Sequence, residues 1–458
     1  MATKIRRLKD SNGDSIIPVT SAKAVIDEEG KNLDYLLDGK VGFKDTVEGE
    51  IIIDFPERLG NTVDLSYRDI FGRKKENRET ANSYVINEPG DYCFPLVYGN
   101  GIKDGVTNTS SYTNLGGTYQ ADFVNYKGNA ISSPYIEKDT GETAANVEIL
   151  LSDEETGISN LSITSVFGET IKFIKFTVTS VPETGANYVV GVKDSSGNIM
   201  WSWHLWLWDQ VNHPLEEVEI VNYSGNTYKI LNYNLGTKLD SDLTHMKNWF
   251  YQWGRKDPML LPGSYNSYNN HESFGSTSFS IITTPASSVS DTIKNPCTFY
   301  TRDTQNWQYN NNWVQLDHFY NYWDASCGST GFTEKTITKT VYDPCPSGYS
   351  IPNARVFTGF TTTGNWGSYS SSQLNISGSW DSGWHFLTAS GGNVFFPASG
   401  YRDSSNGGVD NLGGSGNYWS AGASNESSAT HFYFSSGNVN PLGSSNRAYG
   451  FSVRPCAY

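Results

Sequence analysis

The sequence lacks any long apolar run and has few charged residues for its length. Charged side chains make up 18% of the 458 residues. No stretch of about 18 apolar residues, the length that a membrane-spanning helix needs, occurs. The first residues, MATKIRRLKDSNGD, are basic, but no apolar segment follows them. The sequence therefore predicts no secretory signal and no membrane insertion.

Cysteine is also scarce. The five cysteines, at positions 93, 297, 327, 345 and 456, form no C-x-x-C pair, which argues against zinc-knuckle and thioredoxin-like motifs. A bond between Cys345 and Cys456 stays open, although the odd cysteine count and the missing signal favour free thiols. The sequence predicts no metal and no cofactor.

Positive charge is sparse, since the net charge is −15 and basic residues cluster only at 4–9 and 73–75. Binding to nucleic acid requires a clustered basic surface. We therefore predict no nucleic-acid partner. We interpret the first cluster as a solvated terminus and the second, within the charged run 72–80, as part of a linker.

What the chain does contain is aromatic residues and glycine. With 13 Trp, 28 Tyr, 45 Gly and few helical patterns, the composition predicts a mainly β, multidomain fold. We expect a small N-terminal docking and trimerisation module at 1–40 and a strand and linker at 41–80. A β-sandwich at 81–205 and an α+β ligand-binding domain at 206–458 follow.

The sandwich is predicted from alternating strands that turn signals separate. The strands are expected at 84–86, 92–97, 147–151, 171–178 and 187–192. The next segment, MWSWHLWLWDQ at 200–210, is interpreted as a hinge. Its histidine, His204, is expected to be a packed and hydrogen-bonded core residue, and its tryptophans to form an inter-domain packing surface rather than a platform for sugars.

The last hundred residues are almost uncharged. From Thr361 to Tyr458 only three basic and four acidic residues occur, and Gly, Ser, Asn and aromatics dominate. Alternation in Thr430–Ser435 predicts a strand with Phe432 and Phe434 on one face and His431, Tyr433 and Ser435 on the other. A second strand is expected at 449–454. Tyr, Ser, Gly and Asn are the residues that recognition loops favour.

This composition leads to a predicted contact surface for a ligand. Its residues are Tyr401, Asp403, Ser404, Asn406, Asn411, Asn417, Ser424, Asn425, His431, Tyr433, Ser435, Asn438 and Asn440. A β domain without a ligand of its own remains the alternative. The arginines nearby have a structural role in this interpretation, and Arg255 with Asp257, or Arg402 and Arg454, are expected to form buried ion pairs.

The N-terminal pattern resembles the virion-proximal end of bacteriophage tail or head fibres from Bacteroides-type hosts. The residues that carry it are LKDSNGD (8–14), IIPVT (16–20), AVIDEEGK (24–31) and LDYLL (33–37). In fibres such ends commonly form trimers. The resemblance therefore implies a homotrimer that docks to virion structural proteins through residues 1–40.

A series of C-terminal motifs resembles the Fibrobacter succinogenes major paralogous domain family of Bacteroidetes. The motifs are WSWHLWLWD (201–209), KILNYNLGT (229–237), WFYQWGRKDPMLLP (249–262), VYDPCPSGYSIPN (341–353), FFPASGYRD (395–403), GNYWSAGA (416–423), FYFSSGNVNP (432–441) and NRAYGFSVRPCAY (446–458). That family is similar to the C-type-lectin-like fold of formylglycine-generating enzyme and of variable proteins of diversity-generating retroelements. One departure is Asn232-Tyr233, where relatives carry Asp-Arg.

Other activities of that fold lack their residues here. The formylglycine-generating enzymes use closely placed cysteines, whereas residues 361–455 contain none. His385 and His431 lie in segments without a nucleophile elbow. Asp403 and Asp410 are too few for a calcium-dependent lectin, and the Glu-Pro-Asn tripeptide is missing. The sequence predicts no catalytic residue.

The prediction is therefore a bacteriophage fibre protein, located in the virion, that binds a host-surface glycan or protein without catalysis. A bacterial surface adhesin or fimbria-associated protein is one alternative, and a virion decoration without a receptor is another.

Overall fold

A computed structural model describes residues 3–4, 52–53, 61–166, 169–241, 243, 245–260, 273–303, 311–316 and 319–458. The predicted docking module at 1–40 lies outside the described residues apart from the backbone of 3–4. Most of the predicted strand at 51–55 is also outside, with 52–53 described as a strand.

Twelve strands lie in the described residues of the first half of the chain. They are β1 (Thr3–Lys4), β2 (Ile52–Ile53), β3 (Val63–Asp64), β4 (Ser83–Ile86), β5 (Gly90–Pro95), β6 (Ile102–Lys103), β7 (Val106–Thr107), β8 (Asn146–Ser152), β9 (Ile158–Ser165), β10 (Lys172–Val178), β11 (Ala186–Lys193) and β12 (Ile199–Leu207).

The remaining strands of the described residues lie in the second half of the chain. They are β13 (Glu217–Val221), β14 (Thr227–Leu231), β15 (Thr237–Leu239), β16 (Met246–Asn248), β17 (Tyr251–Gln252), β18 (Ser280–Ile282), β19 (Thr298–Tyr300), β20 (Tyr349–Ser350), β21 (Gly367–Ser368), β22 (Ile376–Ser377), β23 (Gly383–Leu387), β24 (Asn393–Pro397), β25 (Tyr401–Arg402), β26 (Val409–Asp410), β27 (Ser415–Ala423), β28 (Ser428–Ser435), β29 (Asn438–Asn446), β30 (Gly450–Phe451) and β31 (Cys456–Ala457).

Helices are short. The α-helices are α1 (Ile136–Thr140) and α2 (Val289–Lys294), and 3-10 helices span Leu65–Tyr67, Thr109–Ser111, Val356–Phe360 and Tyr369–Ser371. None of the helices in the described residues has the length and apolar content that crossing a bilayer requires. The predominance of strands confirms the predicted mainly β fold.

The chain forms two compact units. One comprises residues 1–62 and 164–173, and its described part includes the antiparallel pair β1–β2. The other comprises residues 63–163 and 174–458. Within this larger unit a single hydrophobic cluster draws side chains both from before residue 205 and from after it. A domain boundary at 205/206 stays a prediction.

Two four-stranded sheets form the predicted sandwich. Their strand orders are β3-β5-β10-β9 and β4-β12-β11-β8. Rings from the two sheets meet between them, where Phe94 lies 5.2 Å from Trp203 and 5.0 Å from Tyr84. The segments predicted as strands from alternation are strands, because a half-buried pleated surface favours that pattern.

The predicted hinge at 200–210 is wrong, since most of it belongs to β12, an inner strand between β4 and β11. Every residue of β12 is buried. Trp201 packs against Tyr98 at 4.7 Å, and the indole nitrogen of Trp206 donates to the Thr237 carbonyl. A strand covered on both faces is apolar throughout, which explains its tryptophan-rich sequence.

Residues 72–80, which the sequence predicts to be a linker, are part of the larger unit and pack within it. Lys75 Nζ donates to Ser347 Oγ at 2.7 Å, and Thr80 is buried. The basic cluster at 73–75 is therefore divided between a packed lysine and the exposed Arg73.

His204 is the core histidine that the sequence predicts. Its Nδ1 lies 3.2 Å from Ser83 Oγ and its Nε2 lies 2.9 Å from Asn187 Oδ1. The order Ser83, His204, Asn187 resembles the hydroxyl, imidazole and amide of a catalytic triad. However, Ser83 has no exposed surface that a substrate could reach. We interpret it as a structural network. Burial lowers the pKa of His204 to about 3, since the charged imidazolium would lose its hydration.

The predicted ion pairs of three arginines are wrong. In the described part of the chain, Arg255, Arg402 and Arg454 have no carboxylate partner. Arg255 donates to Gln252 Oε1 and to the Thr298 carbonyl, both at 2.8 Å. Asp257 pairs with Lys256 instead, at 2.5 Å.

The other two arginines share one arrangement, in which carbonyl groups accept the guanidinium protons and an aromatic ring covers its face. Arg402 donates to the Gly407 carbonyl at 2.7 Å, and Arg454 to the Phe395 carbonyl at 3.0 Å. Their guanidinium carbons lie 4.4 Å and 4.1 Å from the rings of Phe279 and Phe396. Carbonyl dipoles and ring quadrupoles replace the counter-ion.

All five cysteines are buried, and none of them forms a disulfide bond. This confirms the preference for free thiols.

Acid should destabilise the protein through its buried neutral histidines. Unfolded histidine has a pKa of about 6.5, above the folded value of about 3 for His204. The stability that depends on neutral His204 is present above pH 6.5 and is lost as pH falls toward 3, by about 1.4 kcal/mol per pH unit. We expect a lower melting temperature at pH 5.0 than at pH 7.5.

Substitution identifies the histidine responsible. His204→Gln should lower the melting temperature at pH 7.5 and shrink the further drop at pH 5.0. His385→Gln, at a partly exposed site, should keep the wild-type pH dependence. An unchanged drop in His204→Gln would show that His204 is not the cause.

Candidate functional site

The C-terminal sheet has the strand order β21-β29-β28-β27, and its strands are antiparallel. The inward face follows the predicted alternation. Phe432 and Phe434 are fully buried and belong to one aromatic cluster. In that cluster Phe360 and Phe386 stack at 4.2 Å.

Two glycines of the sheet leave room for close neighbours on this inward face. A Cβ at Gly416 would lie 2.1 Å from the Phe434 ring, and one at Gly367 would lie 3.1 Å from Leu374. Both positions therefore face the aromatic cluster. Their neighbours along the strands face the opposite side, because successive residues alternate.

The outward face carries a row of polar side chains across the sheet. Tyr433 in β28 is paired with Asn417 in β27 and with Asn440 in β29. Directly opposed residues share a face. Tyr433 and Asn440 are partly exposed, whereas Asn417 is 4% exposed.

A second row of small polar side chains lies beside the first. Ser435 is paired with Ser415, and Asn438 is paired with Ser368. Ser435 and Asn438 flank the turn Ser436–Gly437, which joins β28 to β29. Neither row contains a charged side chain, so this part of the sheet presents hydroxyl and amide groups alone.

His431 points to the outward face as predicted, but the expectation that it is accessible does not hold. Its ring lies 5.1 Å from Phe451 of β30 and 6.1 Å from Trp419, and the side chain is 6% exposed. Burial lowers the pKa of His431 to about 3. Alternation gives the direction of a side chain, but β30 covers this end of the face.

Two further predicted contact residues are buried. Ser404 is 1% exposed, and its carbonyl accepts a hydrogen bond from Arg302 N. The amide of Asn417 donates to the Gly400 carbonyl at 3.4 Å and to Ser415 Oγ at 3.2 Å. Their polar groups therefore hold the backbone, and they present no surface to a ligand.

The turn around residues 401–411 forms a separate patch. Asn411 donates to the Tyr401 hydroxyl at 3.3 Å, and both side chains reach solvent. Asp403 accepts hydrogen bonds from the Ser405 and Asn406 backbone nitrogens, at 2.8 and 3.3 Å. Its carboxylate thus stabilises its own turn.

Ser424 and Asn425 lie in the turn at the opposite end of the β27–β28 hairpin from Ser435. Asn425 Oδ1 accepts from the Ser427 and Ser428 nitrogens, and Ser424 Oγ lies 2.6 Å from Ser444 Oγ. At a rise of about 3.3 Å per residue, the eight residues of β28 separate the two ends by over ~20 Å. The predicted residues do not all share one contact surface.

The sequence-based set missed Trp366, which is 55% exposed and immediately precedes β21. The sequence offers Trp366 only as a sign of an ordered segment. Its place beside the sheet follows from the pairing of Gly367 with Val439, and these two residues are far apart in the chain. The pairing of Gly367 with Val439 cannot be predicted from a single sequence.

No group of three or more His, Cys, Asp or Glu side chains in the described ranges is placed to hold a metal ion.

Comparison with known proteins identifies one related domain. Residues 370–456 match a family described as a domain of unknown function, DUF8237. No curated protein and no solved structure matches the chain. The matched segment contains β27, β28 and β29 and begins after Trp366.

Gly416 lies against the Phe434 ring, and we expect that no side chain is tolerated at this position. Gly416→Ala places a methyl group against Phe434, and overpacking of this kind costs about 1–3 kcal/mol. Gly437→Ala is the matched control, because a Cβ there meets nothing within 4 Å. We expect urea denaturation to show a lower free energy of unfolding for Gly416→Ala alone. Equal free energies of unfolding for Gly416→Ala and Gly437→Ala would contradict the expectation, because they would show that the Phe434 ring can shift to accommodate a methyl group.

Proposed function

We propose that the protein is a bacteriophage fibre protein that binds a ligand on the host cell surface, without catalysis. The observation that carries the proposal is the uncharged outward face formed by Tyr433, Ser435, Asn438 and Asn440. These side chains stand on a sheet whose other face is fixed by stacked aromatic rings.

The chemistry of this face favours adhesion. Tyrosine offers a rigid, amphipathic contact area, and serine and asparagine offer adaptable hydrogen bonds. Since strands and not loops hold Tyr433 and Asn440, little conformational entropy is lost when a partner binds.

Assembly belongs to the same proposal and rests on the sequence resemblance. Residues 1–40 dock to virion structural proteins and trimerise, and the segment at 81–205 acts as a spacer. The C-type-lectin-like domain at 206–458, with surface residues open to retroelement diversification, carries the binding face. Several copies on one particle multiply a modest affinity by avidity.

Removing the central tyrosine tests the site. Labelled full-length protein is added to a panel of Bacteroides strains, and bound protein is measured by flow cytometry. We expect Tyr433→Ala to reduce binding about tenfold or more, since truncating a central aromatic contact typically costs over ~1.4 kcal/mol. The melting temperature should change little, because Tyr433 is partly exposed.

Tyr223→Ala is the matched control, because Tyr223 is 60% exposed and lies outside the four strands of the sheet. It should bind like the wild type. Undiminished binding of Tyr433→Ala would remove this face as the site.

Fractionation tests the location. The proposal requires the protein in purified virions, whereas presence in the envelope of uninfected bacteria would identify a bacterial adhesin.

A further inference from the structure

Trp366 differs from most tryptophans of this chain. Among the tryptophans that the structure describes, ten are fully buried, while Trp366 is 55% exposed. An exposed indole gains nothing from the core, and exposed apolar groups next to polar ones commonly mark contact sites. Its position relative to the sheet shows what it could contact.

The strand register places Trp366 on the outward face. Gly367 faces the aromatic cluster and is paired with Val439. Trp366 immediately precedes β21, and if the antiparallel register continues by one residue, Trp366 lies opposite Asn440 with its side chain on the other side of the sheet. Asn440 is in turn opposite Tyr433.

Two aromatic side chains thus flank one asparagine. Trp366 and Tyr433 are separated by two strand spacings of about 4.8 Å, or about 10 Å in total. That separation matches the first and third sugar rings of an extended oligosaccharide, with the middle sugar over Asn440.

Hydrogen-bonding groups lie between and beside the two rings. Asn440 Oδ1 accepts from Leu442 N at 3.2 Å, and the side-chain nitrogen has no protein partner among the described residues. The same holds for the side chain of Asn438 and for the Tyr433 hydroxyl, all of which reach solvent. These groups can donate to, or accept from, a hydroxylated ligand.

We propose that this face binds a neutral carbohydrate, with one sugar ring on Trp366, another on Tyr433, and sugar hydroxyls on Asn440 and Asn438. A pyranose ring has an apolar C–H face that fits an aromatic ring and a rim of hydroxyls that fits amides. The inference rests on the proposed function and names the ligand class for that site.

Charge is what selects a neutral sugar over an anionic one. Carboxylate and phosphate ligands are held by arginine or lysine. From Thr361 to Trp380 the sequence contains no charged residue, and neither polar row of the sheet contains one.

The test uses the full-length protein and strains that bind it. Periodate, which cleaves vicinal diols of sugars, should abolish binding to treated cells, and protease treatment of the cells should leave it intact. Raising the salt concentration from 50 to 500 mM should change binding by less than about twofold, because a neutral ligand has no charge to screen.

Variants link this ligand to the two rings. Trp366→Ala and Tyr433→Ala should each weaken binding about tenfold or more, while Trp366→Tyr should retain most of it because it restores a stacking ring. Tyr369→Ala is the matched control, since Tyr369 is 49% exposed but packs toward Trp384, on the other face, at 5.3 Å.

The outcomes separate the two proposals. Binding that depends on Tyr433 but survives periodate, falls after protease treatment or ignores Trp366→Ala overturns the carbohydrate site and leaves the adhesive function standing. If no strain binds the protein, the proposed function fails and the carbohydrate site fails with it.

Discussion

Contact between backbone and aromatic rings under the C-terminal sheet is the constraint on which the candidate site depends. A Cβ at Gly416 would meet the Phe434 ring of the paired strand, and a Cβ at Gly367 would meet Leu374 and the Gln373 carbonyl. The sheet therefore cannot approach, tilt or slide without a clash or a void, and either is costly in an interior packed at crystal-like density. The packed face also fixes the strands that carry the opposite face, and Tyr433 and Asn440 are directly paired there.

Several buried polar groups of the larger unit are stabilised by neutral hydrogen-bonding partners and not by ion pairs. Arg402 and Arg454 use backbone carbonyls and ring faces instead of carboxylates, and His204 remains neutral within a network of hydroxyl and amide groups. A carbonyl belongs to a specific point of the chain, so each arginine ties distant segments together. Arg454 joins the C-terminal end to the carbonyls of Leu231 and Phe395.

Local pattern in the sequence predicted the local structure well. Alternation located the sandwich strands and put Phe432 and Tyr433 on opposite faces, because the period of two is a property of neighbouring residues. Prediction from local pattern failed for features that depend on segments far apart in the chain. Tertiary contacts set the cover that β30 places over His431, the inner position of β12 and the pairing of Gly367 with Val439. The expected partners of the arginines failed for the same reason, since backbone carbonyls leave no trace in a single sequence.

An uncharged face suits a particle that carries many copies of it. A charged face would attract or repel surfaces over a Debye length of about 8 Å at physiological salt, whatever their detailed shape. Amide, hydroxyl and aromatic groups interact with a ligand only at short range. In the proposed site, discrimination between ligands would therefore depend on their shape and on the arrangement of their hydroxyl groups. Few side chains take part, which limits the affinity of a single site. In the fibre that we propose, three chains per trimer and several trimers per virion raise that affinity through effective concentration. Weak single contacts then favour specificity, because a surface with sparse or mismatched ligands cannot engage several sites at once.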